Sequence, residues 1–237
     1  ILVEIEKIKT SLTCSAGSCP SIALSQKDFD ENSGIYVIET PGTYTLSEDI
    51  ESNASGDGII IIRSSFVTLN FCGHRLRGNG TIPAIFIPEN TRFIIISNGA
   101  IENCTHGIRM LSGSGALTSS LLNFTQISEF GISLRESGQC FIRGCTFNRC
   151  GNSGTVGSPR GAIELLSMRN TLIEGCIMHD FEDGESVVGV IVQDSVQTRI
   201  SRSVIERMNP KIEARAIVST KNRRLAVDTS VFYELIP

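Results

Sequence analysis

No tryptophan occurs among the 237 residues, and prolines (7), histidines (3) and aromatic side chains (6%) are scarce. The histidines, His74, His106 and His179, stand far apart, and no Cys-x2-Cys pair occurs, so no zinc-ligand spacing exists. Positive charge is not in excess: 21 Lys and Arg face 25 Asp and Glu, a formal net of −4. That excludes a general nucleic-acid binder, which needs a basic surface or stripe. The longest apolar runs, such as Ile59 to Ile62, span a few residues, whereas a membrane helix needs about 20. The N-terminus carries neither an initiator Met nor the basic, apolar and small-residue regions of a signal peptide. The chain is therefore expected to be a processed or partial product. What is present is 22 glycines, many isoleucines and a 41% hydrophobic share, which describes a folded, β-rich chain with frequent tight turns.

Residues 1–13 predict a short helix. Ile1, Ile5, Ile8 and Leu12 follow the four-three-four spacing of a coiled-coil seam. A helix this short is marginal alone and needs either partner chains or its own domain to pack on. Residues 14–34, rich in Ser, Asp, Asn and Gly, read as a linker carrying Cys14 and Cys19. Residues 35–57 read as N-terminal cap strands. From residue 58 onward a repeat dominates. Segments open at Gly58, Ala84, Gly107, Gly131, Ala162, Gly189 and Ala216, spaced 26, 23, 24, 31, 27 and 27 residues apart. Each holds a short alternating strand, a turn, a second alternating strand and a third apolar stretch.

Three short strands in about two dozen residues cannot bury an apolar face alone, so they must stack on copies of themselves. The expected second-strand column is Leu69, Ile96, Leu122, Ile142, Ile173, Ile200 and Val227. The expected third-stretch column is Ile101, Ile127, Phe147, Met178, Ile205 and Phe232. The Leu-x-x-Leu-x-Leu framework of a leucine-rich repeat is absent. Residues 58–78 and 131–147 resemble rungs of the right-handed parallel β-helix of the pectin-lyase-like superfamily. The resemblance covers 58–237 and implies an all-β solenoid of about seven rungs. The superfamily includes lyases, hydrolases, epimerases, adhesins and phage or viral fibres, so it specifies fold rather than function.

Six cysteines fall inside the repeat. Cys72, Cys145 and Cys176 align in one expected column, Cys104 and Cys150 in another, and Cys140 takes an inward slot. All six are expected to act as small hydrophobic core residues rather than as a disulfide framework. The residues that would carry catalysis in the superfamily's enzymes are missing. No Asn-Thr-Asp, Gly-His-Gly or Arg-Ile-Lys motif of polygalacturonases occurs, nor the Asp-Pro-His-Asp of alginate epimerases. On the first strand, Ile60, Phe86, Arg109, Ser133, Glu164, Ile191 and Val218 are expected to point outward. Within them Arg109 and Glu164 are the catalytic candidates, in a polar window between apolar rungs. Asp180, Glu182, Asp183 and Glu185 are the Ca²⁺ candidates. Asp180 also fits an alternating-charge ladder with Glu129, Arg149, Arg207 and Glu234. Glycosylation sequons stand at Asn53, Asn79, Asn103 and Asn123. No cofactor is expected.

The alternate positions of the second strand carry the main anomaly. Ile95, Leu121, Phe141 and Leu172 are expected to point outward on four consecutive rungs. An apolar stripe of this kind marks either a subunit contact or a surface covered by residues 13–57 or the 151–160 loop. With the heptad it suggests a homotrimer, or else a dimer. The chain ends within a rung, so another chain or further sequence should cover that end. The expected function is a rigid surface or virion rod for assembly or attachment, extracellular, with a surface glycan or another structural protein as partner. The alternative is an extracellular polysaccharide lyase or glycoside hydrolase.

Overall fold

A computed structural model describes residues 21–154, 158–181, 185–209 and 213–235, with side chains through Phe232. The heptad residues Ile1, Ile5, Ile8 and Leu12, the Cys14 and Cys19 pair, and Glu182 and Asp183 lie outside the described residues. The chain winds into about eight coils, one more than the seven expected. Each coil lays one strand on each of three faces, and every strand pairs in parallel with the equivalent strand of the next coil. In the fifth coil, for example, residues 132–135, 140–143 and 146–150 supply the first, second and third sheets.

The corners explain how so short a repeat closes. One residue in the left-handed region turns the chain between the second and third sheets: Asn98 (φ 62°), Leu121 (φ 53°), Gly144 (φ 58°), Gly175 (φ 63°), Arg202 (φ 50°) and Thr229 (φ 45°). Hydrogen bonding is so little interrupted that Arg92–Met110 and Gly115–Arg135 each run as continuous strands around corners. The core is a set of stacked columns. Phe124 and Phe147 stack with centroids 4.8 Å apart and planes at 5°, one coil step along the axis. Those rings account for the glycines that open the fourth and fifth coils, because a Cβ at Gly107 or Gly131 would run into Phe124 or Phe147.

The N-terminal segments differ from expectation. Residues 36–38, 42–46 and 50–51 form a full first coil, paired strand for strand with the second, rather than a separate cap. The stretch read as linker contains strand Ser21–Leu24, which lengthens the second sheet, and helix Gln26–Asp30. Leu24 and Phe29 are fully buried over the top of the core, Phe29 against Tyr36. The Ser25 amide donates to Asp28 Oδ2 at 2.8 Å, and hydrogen bonds from Ser25 hold the Asp28 carboxyl below the usual range. Two apolar residues decided this end, and the polar composition around them concealed it.

Two register corrections follow from the pairing. In the second coil Ile60 pairs Ile85 and Ile61 pairs Phe86, so Ile61 rather than Ile60 takes the outward phase, and both are buried. In the fourth coil the second and third strands sit three residues earlier than expected. Ser119, not Leu122, lies between Ile96 and Ile142, and Phe124, not Ile127, pairs Phe147. Ser119 is a fully buried hydroxyl in a column that is otherwise aliphatic from Leu69 to Val227, 3.8 Å from Cys145 Sγ. Cys104, Cys140, Cys145, Cys150 and Cys176 are free and buried as expected. Burial pushes the Cys104 thiol up to about 12 and the Cys150 thiol up as well, so neither ionises near neutrality. Cys72 departs from this pattern: it is exposed at a corner (φ 54°), and Phe71 takes the inner place.

Candidate functional site

The first-sheet window forms where Arg109, Ser133 and Glu164 pair side by side on consecutive coils. Glu164 is almost buried, yet its carboxylate is not left to substrate. It accepts a 2.7 Å hydrogen bond from Ser133 Oγ and lies 3.5 Å from Arg135. Arg109 is half-buried beside it. The structure adds His106, Glu129, Arg135 and Arg160, which the sequence reading did not place there. Arg160 pairs with Glu129 at 3.3 Å and lies over the Phe130 ring at 5.5 Å. His106 Nε2 is 3.8 Å from Glu129 Oε2, too long for a hydrogen bond. Burial, then Arg109, Arg160 and Arg135, push the imidazole down to about 3. His106 is therefore neutral at ordinary pH, and its contact with Glu129 is not an ion pair. These residues meet because an extra residue between Ile127 and Phe130 shifts the register at this corner. No spacing rule in the sequence signals that bulge.

Of the calcium candidates, the described residues include Asp180 and Glu185. Asp180 is hydrogen-bonded to His179 Nδ1 at 2.8 Å and paired with Arg207 at 3.2 Å. Glu185 is exposed. Among the described residues no three His, Cys, Asp or Glu side chains converge as metal ligands. The ladder holds for Arg149, Asp180 and Arg207, which occupy one corner position of successive coils. Glu129 is not part of it, since Gln126 holds that position and Glu129 turns to Arg160.

The second sheet presents the outward column Thr68, Ile95, Thr118, Phe141, Leu172, Arg199 and Ala226. Leu121 leaves that column and Thr118 replaces it, the same three-residue correction. Leu121 instead turns the corner beside the sheet and reaches over Gly144 of the next coil. The apolar surface survives the correction. Ile95 is 43% exposed, Phe141 37% and Leu121 66%, with Leu172 half-buried. At the opposite corner Phe66 and Phe93 are exposed and stacked, centroids 4.9 Å apart. No described part of the 13–57 or 151–160 segments covers this surface. Toward the C-terminus it gives way to charge. Arg143 and Arg202 both pair with Glu174, Arg199 pairs with Asp228, and Arg143 lies over Phe141 at 5.4 Å.

A family model for the right-handed β-helix region matches residues 83–234. The chain belongs to that family. This β-helix protein is also similar to two solved structures. One is full-length tailspike protein 2 of Escherichia coli O157:H7 bacteriophage CAB120, 15% identical over 84% of this chain, TM-score 0.47. The β-helix protein spans 35% of the tailspike's length. The other is the Streptococcus pneumoniae surface protein and adhesin PfbA, 9% identical, covering 88% of this chain and 84% of that one, TM-score 0.20. Likeness at this level carries no argument about function. None of the curated proteins matches the chain.

Proposed function

We propose that this β-helix protein is a rigid rod that assembles with copies of itself through the second sheet and serves attachment at a cell or virion surface. The observation that carries the reading is the exposed apolar surface of Ile95, Leu121, Phe141 and Leu172, bounded by ion pairs. Water-exposed apolar area of this kind is worth roughly 25 cal/mol per Å² when a partner covers it, and a surface patch of this sort marks an interface. A homotrimer is the arrangement proposed, with the Ile1, Ile5, Ile8 and Leu12 heptad setting its register. Light scattering tests it on the intact chain and on Ile95→Glu/Phe141→Glu. A trimer that the double change dissociates supports the reading. A monomer in both overturns it.

A polysaccharide lyase or hydrolase working at the first-sheet window is the second reading. It is favoured by one observation: His106, Arg109, Glu129, Arg160 and Glu164 lie together on one face. Ca²⁺-dependent cleavage of a uronic-acid polymer by the monomer, lost in Arg109→Ala, would make it the first.

A further inference from the structure

Phe66 and Phe93 occupy the corner before the second-sheet strands of the second and third coils, and both take left-handed backbone angles (φ 60° and 58°). Bulky side chains rarely adopt that conformation, and here it holds two phenyl rings in solvent. Phe66 stacks on Phe93 from the N-terminal side. On the other side the stack stops. The next two coils place Ala116 and Gln139 at the same corner, flanked by Gly115 and Gly138. A shallow surface depression of about 330 Å³, largely open to solvent, lies there, lined by Arg92, Phe93, Gly113, Gly115, Ala116 and Gln139.

The fold does not demand that this slot be empty. A Cβ at Gly138 would meet nothing within 4 Å, and one at Gly115 only ordinary contacts with the Arg92 stem. Neither glycine has a left-handed φ. The polar groups at the rim are uncommitted: among the described residues neither the Arg92 guanidinium nor the Gln139 amide has a hydrogen-bond or ion-pair partner. The site is thus one free aromatic face, a floor of small residues and two planar polar groups, open to solvent.

We propose that this slot binds a pyranose ring of a surface saccharide, its C–H face on Phe93 and its equatorial hydroxyls toward Arg92 and Gln139. A pyranose has one apolar face and a polar edge, and so does the slot. An aromatic side chain from a protein partner fits less well, because such anchors favour fully desolvated apolar pockets and this one is open and polar-rimmed. The proposal rests on the attachment reading and gives it a ligand class.

Saturation-transfer NMR on the intact protein tests it with isomaltohexaose, cellohexaose, chitohexaose and a hyaluronan hexasaccharide. At least one should bind. Phe93→Ala and Gly138→Val should each weaken it about tenfold or more without changing the melting temperature. Phe141→Glu should alter solution mass and leave sugar binding intact, which separates this site from the assembly face. Three results would overturn the proposal: no transfer to any of the four, native affinity in Phe93→Ala, or a Phe93→Ala protein whose solution mass has changed. The last would make the phenyl stack a protein contact.

Discussion

An imidazole kept neutral down to about pH 3 makes the fold sensitive to acid. In the unfolded chain His106 titrates near its model value of 6.5. Between those values the unfolded state binds the extra proton, so stability falls as pH drops through this window. At 1.36 kcal/mol per pH unit, the loss from His106 alone is about 2 kcal/mol by pH 5. His106→Gln should remove most of that slope, read from urea midpoints at pH 7.5 and 5; parallel slopes would show that the imidazole protonates in place. Leu121 is a second residue held at a cost. Its left-handed φ of 53° is strained for leucine, while Asn98, Gly144 and Gly175 fill the same column comfortably. Leu121→Asn should raise urea stability of the dilute monomer by about 1 kcal/mol. It should also weaken self-association in light scattering, because strain kept at an exposed apolar side chain is consistent with a contact. A variant that is both less stable and unchanged in association would remove Leu121 from the proposed interface.

At the scale of the strand, the two faces of the second sheet should separate cleanly. Ile173 points inward and is fully buried, and its neighbour Leu172 points outward. Ile173→Ala should cost about 2–5 kcal/mol and Leu172→Ala about 1 kcal/mol or less; equal costs in urea unfolding would invert the phase. Where strands are strictly alternating, as at residues 171–173 and 198–200, the sequence alone assigned column and face. It failed in the fourth coil for a specific reason. Ser119 is a polar residue in a core slot, and Leu121 is an apolar residue at a corner. Aligning apolar residues therefore slid the strand by three positions. The same logic hid the N-terminal coil, where Leu24 and Phe29 do the packing inside a polar stretch. The window showed Arg109, Ser133 and Glu164, since these lie on one strand column. It could not show His106, Glu129 and Arg160, which arrive through a bulge. The phenyl stack was equally silent, because Phe66 and Phe93 belong to a corner rather than to any alternating strand.

At the scale of the whole molecule, the rod divides along its second sheet. The N-terminal half of that face carries the apolar residues Ile95, Leu121, Phe141 and Leu172, and the C-terminal half is an ion-paired surface of Arg143, Glu174, Arg199, Arg202 and Asp228. Which half holds the copies together determines how assembly responds to salt. Screening shortens the Debye length from about 10 Å at 0.1 M to 3 Å at 1 M, and exposed ion pairs are worth only about 0–1 kcal/mol each. Apolar contact is not screened and is strengthened by excluded salts such as sulfate. Solution mass by light scattering should therefore hold from 0.05 to 1 M NaCl, and the association constant should rise in ammonium sulfate. Dissociation by NaCl would instead move the contact to the charged half. The Arg199–Asp228 and Arg143–Glu174 pairs would then have to open and exchange partners between copies. In that case Arg199→Ala, rather than Phe141→Glu, would be the change that separates them.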